Sequence, residues 1–164
     1  MSKISSGLSS VLNRSVVANY RKSLLRTTHS YCVDPTIGLH SEQIEIMRTA
    51  KHFAKNEMFP KMDEWDTTET LPRDVLEHAG ELGFGAIYCS EEFGGSGLTR
   101  LHASLIYEQL AAGCTSTAAY MSIHNMVVWM IDKYGTKEQK EKYIPEMAAF
   151  KVLGSYCLTE PDSG

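Results

Sequence analysis

The sequence predicts an all-α fold. Apolar residues recur at three- and four-residue spacing through five stretches between residues 41 and 148, which is the pattern of helices that bury one side. Capping residues or a proline precede most of these stretches. One short apolar run, residues 153–158, predicts a strand instead. Residues 34–152 are therefore expected to form one helical domain, which is large enough to bury a core.

Residues 1–33 differ in composition from the rest of the 164-residue chain. They carry five basic side chains and no acidic one, with Ser residues and isolated apolar residues between them. A basic, Ser-rich and amphipathic stretch is typical of a mitochondrial transit peptide. A merely disordered tail is the alternative, but such a tail has no reason to exclude acidic residues. We expect import into the mitochondrial matrix and cleavage between Arg26 and Asp34.

The first predicted helix begins at Ser41 and ends before Pro60. Ser41 can accept from the first free N–H groups, and Glu42 lies where the helix dipole favours a carboxylate. The second begins at Pro72, which suits a helix start, and is closed by Gly83. The apolar residues at helical spacing are Ile46, Ala50, Phe53, Ala54 and Met58 in the first helix, and Val75, Leu76, Ala79 and Leu82 in the second.

Residues 84–98 are predicted to form an irregular loop, because glycines at and around them interrupt any regular pattern. The sequence Gly94-Gly95-Ser96-Gly97 could cradle a phosphate, but it lacks the flanking strand and the Lys of a nucleotide-binding loop. A tight turn between helices is therefore favoured.

Three further helices follow this loop. Residues 99–112 carry an apolar stripe, and residues 114–134 are so apolar around the whole helix that we expect a central position for them. The last helix begins at Thr136 and has one charged face. Its apolar face consists of Tyr143, Ile144, Met147 and Ala148.

Composition excludes several classes of function. Residues 34–164 hold 11 basic and 20 acidic side chains, and an acidic body argues against a nucleic-acid partner. No apolar run approaches the length of a membrane span. The four cysteines are widely spaced and are expected to be reduced thiols rather than disulfides or zinc ligands. The histidines are scattered, and each is expected to be a surface or capping residue.

Several local motifs together resemble the amino-terminal part of an acyl-CoA dehydrogenase, from about Gly38 to Gly164. They are Phe53-Ala54 with Glu57 and Pro60, Leu82-Gly83-Phe84-Gly85, Glu92-Phe93-Gly94-Gly95-Ser96-Gly97, Gly135-Thr136-Lys137-Glu138-Gln139-Lys140, and the closing Cys157-Leu158-Thr159-Glu160-Pro161-Asp162-Ser163-Gly164. The resemblance implies an amino-terminal helical domain at 34–152, followed at 153–164 by the first strand and flavin loop of a middle β-domain.

The resemblance also implies a chemistry. Family members hold FAD and an acyl-CoA thioester between three domains of a homotetramer. A carboxylate removes the α-proton while the β-hydrogen leaves as hydride to the flavin, and the electrons pass to an electron-transferring flavoprotein. That carboxylate is expected in the carboxy-terminal domain, so no residue of this chain is assigned as the catalytic base, and we expect the chain by itself to be inactive.

Site residues follow from the same resemblance. The flavin-binding segment is expected at Tyr156, Cys157, Leu158, Thr159, Glu160, Pro161, Asp162, Ser163 and Gly164. The central helix is expected to line the acyl cavity with Ser122, Ile123 and Met126. Residues 113–117, 122–126 and 129–132 resemble the family members that oxidise a short branched acyl-CoA, isobutyryl-CoA, in valine catabolism. The alternative function is a non-catalytic helical domain that binds partners or oligomerises.

Overall fold

The computed structural model describes residues 34–163, and its regular structure is helical. The α-helices of this part are α1 Ser41–Phe53, α2 Met62–Thr67, α3 Arg73–Glu81, α4 Arg100–Gly113, α5 Thr115–Tyr134 and α6 Lys137–Ala148. The prediction of an all-α fold is confirmed. The predicted transit peptide at 1–33 and the last flavin-loop residue, Gly164, lie outside the described residues.

Residues 34–39 form a short turn that is described separately from the helical unit, which begins at His40. The carboxylate of Asp34 accepts hydrogen bonds from the backbone N–H of Thr36, at 2.9 Å, and from its hydroxyl, at 2.7 Å. These two hydrogen bonds lower the pKa of Asp34, because they favour its charged form.

The helical unit is built around contacts between helices that are distant in sequence as well as adjacent ones. Helix α1 packs along α4, α4 packs along α5, and α5 packs along α6. The main core lies between α1, α3, α4 and α5, where Phe53, Leu76, Ile106 and Met121 are almost completely buried. A smaller cluster joins α5 to α6 through Val128, Ile144 and Met147, together with Ala86 and Cys89 of the glycine-rich loop.

The helix starts agree with the predicted pattern, with one correction. The residue before the first helical residue is His40 rather than Ser41, and the side chain of Gln43 accepts from the N–H of His40 at 2.9 Å. Thr99 and Thr136 cap α4 and α6, where their hydroxyls accept from the third residue of the helix. A threonine at these positions satisfies N–H groups that have no partner within the helix.

The prediction of one continuous helix up to Pro60 is wrong in its last part. Helix α1 ends at Phe53, and the chain continues through a π-helical turn, Ala54–Met58, and a 3₁₀ turn, Phe59–Lys61. Pro60 has no N–H to donate, so the regular pattern of hydrogen bonds cannot pass through it. Local π and 3₁₀ turns keep the apolar side chains of Ala54 and Met58 in the core.

The predicted strand at residues 153–158 is not formed. No strand lies within residues 34–163, and the one β-bridge there joins Glu160 to Ser163. An extended segment becomes a strand only when a second segment offers it a ladder of hydrogen bonds, and residues 34–163 offer none to 153–158. No helix in this part of the chain has the length and hydropathy needed to cross a membrane.

Candidate functional site

Helix α5 packs against both α4 and α6, in the central position predicted for it, but it has two different sides. The inner side includes Met121, His124, Asn125 and Val128, each at most 1% exposed. The outer side is apolar and open, and its large side chains follow one another by three or four residues. They are Tyr120, Ile123, Met126, Met130 and Tyr134, between 37% and 74% exposed. We call these five residues the outer stripe.

The predicted acyl-pocket residues lie on or beside the outer stripe. Ile123 and Met126 belong to it and are 40% and 38% exposed. Ser122 lies at its edge, where its hydroxyl donates to the carbonyl of Ala119 at 2.7 Å. The structure thus brings the three predicted residues together on one accessible part of α5, and their role in binding an acyl group stays a prediction.

The predicted flavin segment follows α6 and a turn at Phe150. Leu153 is half-buried and Gly154 is buried, whereas residues 155–163 are all exposed. Within the segment, the N–H of Leu158 donates to the carbonyl of Tyr156 at 3.1 Å. Glu160 and Ser163 exchange two backbone hydrogen bonds, of 3.0 and 3.1 Å, around the turn at Pro161 and Asp162. The hydroxyl-bearing and apolar side chains predicted to meet the flavin therefore lie open on the surface.

His124 joins α5 to the start of that segment, and it corrects the expectation that every histidine is a surface or capping residue. Its Nδ1 accepts from the N–H of Gly154 at 3.0 Å, and its Nε2 donates to the carbonyl of Met147 at 2.9 Å. The ring packs on Phe150, with 4.5 Å between centroids. Burial lowers the pKa of His124, against the smaller raising effect of the backbone carbonyls of Met147 and Gly85.

Asn125, the next residue, holds the glycine-rich loop. Its Oδ1 accepts from the N–H of Ile87 at 2.8 Å, and its Nδ2 donates to the carbonyls of Phe84 and Met121 at 2.9 and 3.0 Å. Both polar atoms of this buried side-chain amide therefore have hydrogen-bond partners. Neither residue was assigned a role from the sequence. The available signal was a pair of polar residues inside the most apolar helix, because such a pair must find partners if it is buried.

The glycine-rich loop is a turn between helices, as favoured from the sequence. The N–H groups of Gly94, Gly95, Ser96 and Gly97 donate to carbonyls of Glu91, Ser90, Ala86 and Cys89 in the same loop. A phosphate cradle needs such groups to be free for the ligand. Because these N–H groups already donate to carbonyls of the loop itself, they are not free to bind a phosphate. The loop shapes the helix packing and is not a candidate phosphate site.

No acidic side chain within residues 34–163 is buried. Cys89, Cys114 and Cys157 are free thiols, while Cys32 lies outside this part. Burial raises the pKa of Cys89 to about 12, so this thiol is protonated and inert at neutral pH. The same residues hold no cluster of side chains able to bind a metal ion.

Comparison with known proteins identifies the family. Residues 40–151 match the sequence profile of the acyl-CoA dehydrogenase N-terminal domain. The chain belongs to the acyl-CoA dehydrogenase family. The match covers helices α1 to α6 and their connections, so the resemblance stated from the sequence motifs is confirmed.

Two curated relatives of this acyl-CoA dehydrogenase chain are mitochondrial isobutyryl-CoA dehydrogenases. The Bos taurus protein is 51% identical over 133 residues, which are 81% of this chain and 32% of that protein. The Dictyostelium discoideum protein is 46% identical over 162 residues, which are 97% of this chain and 39% of that protein. The chain therefore spans about a third to two fifths of the length of these relatives.

A solved structure with a similar fold is described as the FAD complex of PigA. It superimposes with a TM-score of 0.72 at 26% identity, over 77% of this chain and 34% of that one. The helical unit of this acyl-CoA dehydrogenase chain thus has a fold similar to part of that FAD-bound protein.

Proposed function

We propose that this chain is the amino-terminal part of an FAD-dependent dehydrogenase that oxidises isobutyryl-CoA to the enoyl-CoA. The observation that carries the proposal is the arrangement around α5 in a member of this family. The outer stripe of α5 and the exposed segment 156–163 are linked through His124 and Gly154. On this proposal the outer stripe meets the acyl group and the segment 156–163 meets the flavin, so both ligands would lie beside the same helix.

The exposed segment has the chemistry that a flavin needs. Tyr156 and Leu158 are 40% and 71% exposed and offer apolar surface to the faces of an isoalloxazine ring. Thr159 is exposed and offers a hydroxyl and backbone groups to its polar edge, where hydrogen bonds stabilise negative charge that develops on reduction. Ser163 would lead toward the pyrophosphate. When bound, FAD supplies the acceptor for the hydride.

The outer stripe suits a short branched acyl group. Ile123 and Met126 are large side chains about one helical turn apart, so together they shorten any cavity that is closed over them. In this family, the regions that follow the amino-terminal domain are expected to supply three things. These are the groups that would close the cavity, the catalytic carboxylate, and much of the flavin site. The proposed electron acceptor is an electron-transferring flavoprotein, and the proposed assembly is a homotetramer in the mitochondrial matrix.

The test uses the complete protein that contains this sequence. We expect it to purify with flavin absorbance and to be reduced by isobutyryl-CoA under anaerobic conditions, with slower reduction by straight-chain butyryl-CoA and hexanoyl-CoA. A matched control is a polypeptide limited to residues 34–164, which should retain no FAD and show no turnover. A complete protein that binds no flavin, or whose flavin isobutyryl-CoA does not reduce, would contradict the proposal.

The second candidate function is a non-catalytic domain that binds partners or oligomerises. The exposure of five large apolar side chains along one helix favours it, because a contiguous apolar surface is unfavourable in water and marks a site of interaction. The two functions are separated by the same experiment, since a binding domain would self-associate but would neither hold flavin nor oxidise an acyl-CoA.

A further inference from the structure

His124 accepts one hydrogen bond and donates another, and this fixes its protonation state. Nδ1 must be unprotonated, because the backbone nitrogen of Gly154, 3.0 Å away, can only donate. The ring proton therefore lies on Nε2, which donates to the carbonyl of Met147. Neutral His124 thus links α5 to the end of α6 and, separately, to the chain beyond α6.

Gly154 is held closely at this point. A Cβ atom added to it would lie 2.7 Å from the terminal carbon of Met147 and 3.0 Å from side-chain carbons of Val127. Gly154 is buried, and every residue from Ser155 to Ser163 is exposed. Gly154 is therefore the last buried position before the flavin segment, and the backbone direction at Gly154 decides where that segment begins.

We propose that His124 is a positioning residue whose Nδ1 sets the place of the flavin segment relative to the acyl-facing side of α5. Ile123 and Met126 occupy the same helical turn as His124 but point outward, while His124 points inward to Gly154. One turn of helix thus carries both the outer stripe and the anchor of residues 156–163. The inference rests on the proposed function for the flavin and acyl ligands.

Two variants separate this role from ordinary core packing. The amide oxygen of Asn lies close to the position of Nδ1, so His124→Asn keeps an acceptor for Gly154 and loses the donor to Met147. The longer amide of Gln reaches the position of Nε2, so His124→Gln keeps the donor to Met147 and loses the acceptor for Gly154. Both variants lose the ring that packs on Phe150.

The first readout is amide hydrogen exchange of the peptide 154–163 in the 164-residue chain, which involves no ligand. We expect exchange about tenfold faster in His124→Gln than in the parent, and within about twofold of the parent in His124→Asn, because only Gln removes the Gly154 hydrogen bond. Equal acceleration in both variants, or a larger effect in Asn, would show that His124 is only a packing residue.

The second readout is the complete flavoprotein, with the parent measured first. We expect His124→Gln to release FAD about tenfold faster and to lower kcat more than it raises KM, while His124→Asn stays near the parent. A parent protein that purifies without flavin would overturn the proposed function. The hydrogen-exchange measurement would then decide by itself whether His124 anchors residues 154–163. A parent with flavin, combined with equal losses in both variants, would overturn the positioning role alone.

A third measurement needs no variant. Nitrogen-15 NMR of histidine-labelled parent chain should show His124 as the neutral tautomer with its proton on Nε2. A proton on Nδ1 would overturn the proposal even if both variants fail to fold, because a protonated Nδ1 cannot accept from Gly154.

Discussion

The side-chain oxygen of Asn125 lies 2.8 Å from the backbone nitrogen of Ile87, so a residue of the central helix completes the hydrogen bonding of a loop 38 residues away in sequence. Its amide nitrogen bonds the carbonyl of Phe84 in the same loop at 2.9 Å. The glycine-rich loop therefore takes its shape from side chains of α5 as well as from its own backbone, because Asp132 also accepts from the N–H of Ser90 at 3.2 Å.

Replacement of Asn125 by Ala should destabilise the helical unit by about 3 kcal/mol, because it leaves the buried N–H of Ile87 and the carbonyl of Phe84 without partners. Denaturant unfolding of the 164-residue chain measures this loss. Asn56→Ala is the matched control, since Asn56 is exposed, and it should change the free energy of unfolding by less than about 0.5 kcal/mol. Equal effects of the two substitutions would contradict the role of Asn125.

Stability should fall as the pH decreases below the ordinary histidine pKa of 6.5. Because the pKa of His124 is lowered in the folded chain, the unfolded chain takes up a proton first, and the protonated ring can no longer accept from Gly154. This contribution is fully present above pH 6.5 and is lost as the pH falls toward the lower, folded-state pKa, at up to about 1.4 kcal/mol per pH unit.

Thermal unfolding between pH 8 and pH 5 checks this prediction. The His124→Asn variant is the control, because it retains every other titratable group. We expect a shallower loss of stability in the variant than in the parent chain. Parallel curves would show that His124 does not contribute to the pH dependence.

Met126→Ala should shift the acyl preference of the complete enzyme toward longer straight chains. Truncation removes bulk from the outer stripe, and one methylene in such a pocket corresponds to about 1–3 kcal/mol, so the preference should shift gradually with chain length. Relative kcat/KM values for isobutyryl-CoA, butyryl-CoA and hexanoyl-CoA measure the shift. Leu101→Ala, at an exposed apolar residue of α4 outside the outer stripe, is the control and should keep the parent profile. An unchanged profile in Met126→Ala would remove Met126 from the acyl pocket.

The basic leader should direct the protein into the mitochondrial matrix and be removed between Arg26 and Asp34. Mass spectrometry of the amino terminus of the protein from isolated mitochondria tests this. Exchange of Arg21, Lys22 and Arg26 for Gln should reduce import, because the positive charges drive it. Full-length protein with an intact Met1 outside the organelle would contradict the prediction.

The sequence predicted most of the helical unit because its signals are local. Helical spacing, helix starts at about Thr99 and Thr136, and Gly83 as a terminator depend on residues close in sequence, and they correspond to the structure. The strand at 153–158 was predicted from its apolar character and from the family resemblance. Strand formation depends on a partner, and residues 34–163 supply none, so composition was a poor guide there.

The inner side of α5 could not be predicted for a related reason. His124 and Asn125 find their partners at Met147, Gly154, Phe84 and Ile87, between 23 and 41 residues away. Helical periodicity shows which residues share a side, but it does not show which distant backbone groups need a donor or an acceptor. Only packing brings these polar groups together, and the residues that anchor the candidate site were therefore missed.

Under the proposed function, the two-sided character of α5 separates folding from ligand preference. The inner side carries the hydrogen bonds and packing that hold this unit, whereas Ile123 and Met126 contribute little to its core. Exchange of these outer side chains should therefore need no compensating change inside the domain. Relatives of this chain could thus diverge in the acyl groups they accept through single substitutions on one helix face, while natural selection for a stable fold acts on the other.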